Sequence, residues 1–264
     1  MGNIPHQPIL FGNVPAFDAV INKLTALVPS PSPNTVSAMG TLSLQVVPFL
    51  TSRFPPPPAS PNASVPIPPK LLTSWKKATV DLFDELQPNQ LFPIPDLWRV
   101  ALLDERISKW CTTEDGADMM QHILLKVVSM KASVPRNLLL TTLQLATNCF
   151  STDALGRYVS SSDSDPDALS PRAARTCLLE VALLRNQKAD VKVRNAAATL
   201  VFNEAVLQRN TPVDNPPLDP SYKDEEWEVK MISAVAEAIK REVESEDAGK
   251  HTFLQGVCMR LTTL

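Results

Sequence analysis

The sequence predicts an all-α fold, a stack of helical repeats, on three observations. Only seven glycines stand against 25 prolines, and the prolines fall in clusters, which suits helices joined by rigid connections more than hairpins with glycine turns. Apolar residues between the clusters recur at steps of three and four, the period of an amphipathic helix. The faces so defined are too apolar to stand alone, so each must be covered by a neighbouring helix.

Taken in order, a first helix is predicted over 16–28 and a second over 35–51, separated by the prolines from Pro29 to Pro33. A proline-rich loop follows at 54–69, then a helix over 70–86. A turn at Phe92-Pro93-Ile94 places Pro95 in the first turn of the next helix, 95–109, because proline is tolerated where its missing N–H has no partner to lose. Helix 116–131 carries the face Met119, Met120, Ile123, Leu124, Val127 and Val128. Pro135 precedes helix 136–150, with Leu139, Leu143, Ala146 and Phe150 on one side. A Ser/Asp-rich loop over 159–170 leads to Pro171 and helix 171–187, whose face runs through Ala174, Cys177, Leu178, Val181 and Leu184. Helix 190–208 presents Val193, Ala196, Ala197, Leu200 and Val201. Beyond the prolines between Pro212 and Pro220, two further helices are predicted over 224–245 and 248–263. Both loops read as exposed and flexible, since prolines and a Ser/Asp run leave little to bury.

A weak internal repeat favours a stack over a plain bundle. Leu145-Ala146-Thr147-Asn148 and Leu200-Val201-Phe202-Asn203 each place an asparagine three residues after a leucine, late in a long apolar helix, 55 residues apart. Armadillo or HEAT units of roughly 40 to 47 residues, lengthened by the Ser/Asp-rich insertion, account for that spacing. A polar side chain at matching places in stacked helices either lines a groove and binds an extended peptide's backbone, or is buried and satisfied by a carbonyl of the neighbouring repeat. The sequence does not choose between the two.

Composition narrows the function. At 264 residues and 44% hydrophobic content the chain can bury a large core without staples, and a formal net charge of -3 lacks the basic excess that a nucleic-acid backbone demands. Cys111, Cys149, Cys177 and Cys258 are dispersed, which reads as reduced core thiols with no metal-binding spacing, in the cytoplasm or nucleus. No apolar run reaches the ~18 residues of a membrane span, and none follows the N-terminus as in a secretory leader. No phosphate loop, paired-histidine metal motif or glycine-flanked serine nucleophile is present. The histidines His6, His122 and His251 lie far apart, and carboxylate neighbours such as Asp104/Glu105 splay on a helix. The expectation is therefore a non-catalytic chain without cofactor or metal, binding neither nucleic acid nor membrane.

The run Phe92-Pro93-Ile94-Pro95-Asp96-Leu97-Trp98-Arg99, then Asn137-Leu138-Leu139-Leu140 through Thr147-Asn148-Cys149-Phe150, then Ala197-Ala198-Thr199-Leu200-Val201-Phe202-Asn203, resembles the PUL domain in order and approximate spacing. Weaker likeness extends over Asp18 to Leu27, around Trp75, and from Phe253 to Leu264. The resemblance implies an armadillo-like domain over 16–264, preceded by a proline-containing extension or linker at 1–15. It also implies an adaptor of the ubiquitin system, whose groove holds the acidic C-terminal tail of the valosin-containing-protein-type AAA+ ATPase, with other ubiquitin-pathway proteins as further candidates. Carried over residue by residue, Arg99 matches a basic groove position, and Asn148 and Asn203 match polar positions on the lining helices. Two departures make this groove less basic: Gln144 stands where the phospholipase-activating branch has an arginine, and the arginine of the last helix falls near Gln255 or Gly256, with Arg260 a turn later. The alternative is a general helical scaffold or oligomerisation module for another peptide.

Overall fold

The computed structural model describes residues 7–55, 60–161, 170–182 and 191–210. Among these residues every regular element is helical. The helices are α1 Phe17–Leu27, α2 Pro33–Thr41, α3 Val47–Arg53, α4 Leu71–Glu85, α5 Pro93–Ala101, α6 Glu105–Trp110, α7 Ala117–Ser129, α8 Arg136–Asn148, α9 Asp153–Ser160, α10 Pro171–Glu180 and α11 Val191–Asn210. The helices predicted over 224–245 and 248–263 lie outside the described residues, as do Gln255, Gly256 and Arg260.

Two layers organise them. In the outer layer α2, α4, α7 and α10 pack successively side by side, and in the inner layer α1, α5, α8 and α11 do the same. The short helices α6 and α9 connect the layers and touch each other, so α6–α7–α8 and α9–α10–α11 are successive three-helix units. That is an armadillo-like stack. No described helix is long and apolar enough to cross a membrane.

Local chemistry explains where the helices begin and break. Ser32 and Ser170 cap α2 and α10 by accepting N–H bonds from Thr35 and Ala173, each just ahead of a helix-starting proline. α2 and α3 form one continuous rod, joined by a π-helical turn over Leu42–Val46 in which the Val47 N–H reaches Leu42 O. Pro48 follows at once; it lacks an N–H and its ring crowds the carbonyl four residues back, and the wider turn accommodates both.

The helix predicted over 95–109 is in fact two. Asp104 ends the run by capping α6, accepting from the Arg106 N–H, and it also pairs with the side chains of Arg53 and Arg106. Helix α9 was not predicted at all; it is short, capped by Thr152, and runs to Ser160, so residues 159 and 160 of the predicted 159–170 loop are helical, while 162–169 lie outside the described residues.

The core runs unbroken through both layers. At its centre Trp75 of α4 stacks on Trp98 of α5 with ring centroids 3.8 Å apart, and Trp110 of α6 lies parallel to Trp98 at 6.3 Å. The Trp98 indole N–H donates to Thr79 Oγ1 at 2.8 Å, satisfying its polar tip. Gly116 lets α7 start against this cluster, since a Cβ there would lie 2.3 Å from the Trp110 carbonyl oxygen. Within the last unit Arg175 of α10 pairs with Glu204 of α11 and donates to Val159 O and Ser160 Oγ at the end of α9.

Candidate functional site: a side-chain ladder on the inner layer

Arg99, Asn148 and Asn203 come from the three adjacent inner helices α5, α8 and α11, near the C-terminal end of the first two and late in the third. The structure brings all three into one row. Each is buried, Asn148 and Asn203 to 0% exposure and Arg99 to 5%. A carboxamide removed from water to that degree must have partners for both its oxygen and its nitrogen.

Those partners come from two directions. Asn148 Nδ2 donates to Arg99 O of the preceding inner helix at 2.8 Å, and Asn203 Nδ2 donates to Thr147 O at 3.3 Å. The remaining capacity is met by the chain's own N-terminal segment, which runs along the row. Asn203 Oδ1 accepts from the Ile9 N–H at 2.8 Å and Nδ2 donates to Ile9 O at 2.9 Å. Asn148 repeats the pattern two residues later, accepting from the Phe11 N–H at 2.8 Å and donating to Phe11 O at 3.1 Å. Arg99 then donates from Nη1 to Phe11 O at 2.7 Å and from Nη2 to Asn13 O at 2.9 Å. The two roles open to these asparagines from sequence are thus both present in each: one amide hydrogen bonds the neighbouring helix and the rest of the group reads an extended backbone.

The arginine differs from the asparagines in carrying a counter-ion. Asp96, three residues earlier on α5, accepts from Arg99 Nε and Nη2, both at 2.8 Å. The pairing orients the guanidinium so that its outer edge faces the segment's carbonyls. Gln144 lies half-buried one turn before Asn148 on α8, and among the described contacts none joins it to residues 9–13. At the α11 end, Pro8 borders a small notch lined by Phe150, Thr152, Val206 and Leu207. Phe11 and Val14 of the segment are partly buried against the core.

Nothing in this row is set up for bond making. It contains a guanidinium, two amides and main-chain groups, with no nucleophile held against a base. Elsewhere, burial pushes the Cys149 thiol up to about 12 and the Cys111 thiol higher still, so neither ionises near neutrality. His122 stands edge-on to Phe83 in the outer layer, with burial lowering its pKa from the ordinary value. Among the described residues no group of three or more His, Cys, Asp or Glu side chains is placed to hold a metal ion.

The family model of the PUL domain matches residues 4–254. The chain belongs to the PUL domain family. Because the match begins at residue 4, it takes in the segment that lies on the ladder, and it carries the assignment of the chain as a protein-interaction module. No curated protein and no solved structure matches the chain.

Sequence reasoning missed the segment itself. Its recognition runs from side chain to main chain, so the identities of residues 9, 11 and 13 hold no code for it. A usable signal was nearby: the short apolar run Ile9-Leu10-Phe11 lies between Pro8 and Pro15, in a stretch with no helical period.

Proposed function

We propose that this PUL domain is a non-catalytic adaptor of the ubiquitin system that holds a partner's peptide on the Arg99–Asn148–Asn203 ladder, the partner being the acidic C-terminal tail of the valosin-containing-protein-type AAA+ ATPase. The observation that carries this reading is the ladder's chemistry: two carboxamides and a guanidinium on successive repeats present a repeating set of donors and acceptors to an extended backbone. A tail entering there brings main-chain groups for the asparagines and a carboxylate for Arg99. Charge-assisted bonds of that kind contribute about 1.5 to 3 kcal/mol.

Any such peptide must first displace residues 9–13. Four neutral bonds at about 1 kcal/mol and two from the guanidinium at about 2 kcal/mol hold the segment, against about 1 to 2 kcal/mol of ordering entropy for each of five residues. On the polar terms the two sides cancel to within a few kcal/mol, so the packing of Phe11 and Val14 against the core sets how readily a peptide exchanges with the segment.

A second reading is favoured by Asp96, which already neutralises Arg99. The ladder then reads backbones without regard to acidic side chains, and the module is a general scaffold for extended peptides. Titration of the full chain with a synthetic tail peptide, followed by residue-level NMR shifts, separates the two. Tail docking requires shifts at Arg99, Asn148 and Asn203 and loss of affinity when the tail's acidic residues become amides. Equal affinity for the amide form supports the scaffold, and shifts confined to other surfaces sink both.

A further inference from the structure

The asparagines of the ladder are not free to turn over. A carboxamide read by an isolated backbone could flip and exchange its donor and acceptor ends. Here Asn148 Nδ2 is fixed toward Arg99 O at 2.8 Å, and Asn203 Nδ2 is drawn toward Thr147 O at 3.3 Å. In each case the oxygen is left as the sole acceptor offered to the occupant, on a fixed side. An occupant must therefore bring its N–H to the Oδ1 side and its carbonyl to the Nδ2 side of the same residue, twice.

The register is equally defined. N–H groups are used at Ile9 and Phe11 only, and carbonyls at residues 9, 11 and 13. Arg99 takes carbonyls alone, so it imposes no N–H requirement at its end. Pro8, immediately before the first residue read, has no N–H to satisfy and borders the notch formed with Phe150, Val206 and Leu207.

Building on the peptide-holding reading above, we propose that the ladder is a polarity- and register-selective peptide reader. Its ligand class is an extended segment running N- to C-terminal from α11 toward α5. Such a segment has non-proline residues opposite Asn203 and Asn148, and a proline directly before the first of them. Side-chain charge is not part of the code at the two asparagine positions.

The test uses the full chain carrying Ile9→Pro and Phe11→Pro, which remove both N–H groups given to the asparagines and loosen the segment's hold on the ladder. The probes are a synthetic peptide of residues 7–15, the same peptide spin-labelled at either end, and four analogues in which one amide nitrogen is methylated, at residue 9, 10, 11 or 12. N-methylation at 9 and 11 should weaken binding at least about fivefold each, the size of one ordinary hydrogen bond, and at 10 and 12, which leaves the carbonyls of 9 and 11 as amide acceptors, less than twofold. A label on the peptide's N-terminus should broaden the NMR signals of α11, and one on its C-terminus those of α5. Equal losses at all four positions, the opposite pattern of broadening, or no binding of the parent peptide at millimolar concentration would each overturn the proposal. Amide hydrogen exchange on the unaltered chain reads the same register without any variant: Ile9 and Phe11 slow, Leu10 and Gly12 fast, with uniform rates counting against it. All probes derive from this chain, so a failure of the acidic tail to bind leaves this outcome untouched.

Discussion

The two ends of the ladder hold the same strand by different physics. At the α11 and α8 end, neutral carboxamides exchange paired bonds with the residues they face, each tied to the repeat before it. At the α5 end a guanidinium with its own carboxylate donates to two carbonyls and accepts nothing. Neutral amides are indifferent to salt and to the occupant's charge but strict about direction. A cation is sensitive to both salt and charge and permissive about direction. The two ends thus divide the work, the neutral end setting the segment's register and the charged end offering, in the proposed reading, the site at which an acidic partner would gain most.

The largest effect should come from the neutral end. Asn148→Ala removes three bonds at once, to Phe11 N, Phe11 O and Arg99 O, from a fully buried position. Leaving buried groups unpaired costs about 1 to 3 kcal/mol each, partly recovered if the segment lifts and water enters. We expect urea unfolding to show a loss of about 2 to 4 kcal/mol, with amide protection lost at Ile9 and Phe11 together. A loss below about 0.5 kcal/mol, the level of an ordinary surface change, would erase the distinction between the ends.

Next in size is Arg99. Arg99→Ala should weaken binding of the tail peptide by about tenfold to a hundredfold, and Arg99→Glu by more, with the helical circular dichroism unchanged. The wild-type affinity should fall as salt rises, while the protection of Ile9 and Phe11 should not. Arg99→Lys should behave closer to Ala than to wild type, since a single ammonium cannot span Asp96, Phe11 O and Asn13 O together. Tail affinity independent of all three changes would locate the tail elsewhere.

Just past α5, charge also fixes the chain. Burial raises the pKa of Asp104, but hydrogen bonds from Arg106 and Arg53 outweigh it and hold the carboxyl at about 2, below the ordinary 3.8. A depressed carboxylate contributes stability that is present above its unfolded value and lost as pH falls through its folded value. Acid titration of unfolding should therefore show a fall between 3.8 and about 2. Asp104→Asn should flatten that part of the curve, and an unchanged slope would mean the pair contributes nothing to the junction of α3 and α6.

How much of this was legible in the sequence follows the same division between side chain and main chain. The long helices announced themselves because their apolar faces repeat, and the ladder residues Arg99, Asn148 and Asn203 could be named because they are side chains embedded in recognisable runs. The break at Asp104 was hidden, since neither proline nor glycine marks it and the cap is completed by Arg53, 51 residues away. Helix α9 was hidden because eight residues containing Gly156 give two turns and no sustained period. The π-turn before Pro48 answers a backbone clash that leaves the apolar pattern intact. The strand on the ladder was the least legible part, because recognition through N–H and C=O groups places almost no demand on side-chain identity.

That last property gives the smallest and sharpest prediction, at Gly12, which lies between Phe11 and Asn13, the two residues whose carbonyls Arg99 takes. No glycine among the described residues has a positive φ, so nothing in the backbone at position 12 reserves it for glycine. A Cβ placed on Gly12 meets no atom within 4 Å. Its own N–H and C=O take no part in the ladder. If the segment is held by main chain alone, Gly12→Ala should leave every ladder bond in place and only narrow the freedom of the unfolded chain, a change that stabilises by about 0.4 to 1 kcal/mol. Urea unfolding should thus shift slightly upward, and the exchange rates of Ile9 and Phe11 should hold or slow. Faster exchange at Phe11 in this variant would mean that the strand needs the glycine's freedom to reach both Asn148 and Arg99, and the two ends of the ladder would then be coupled through the occupant's flexibility as well as through its register.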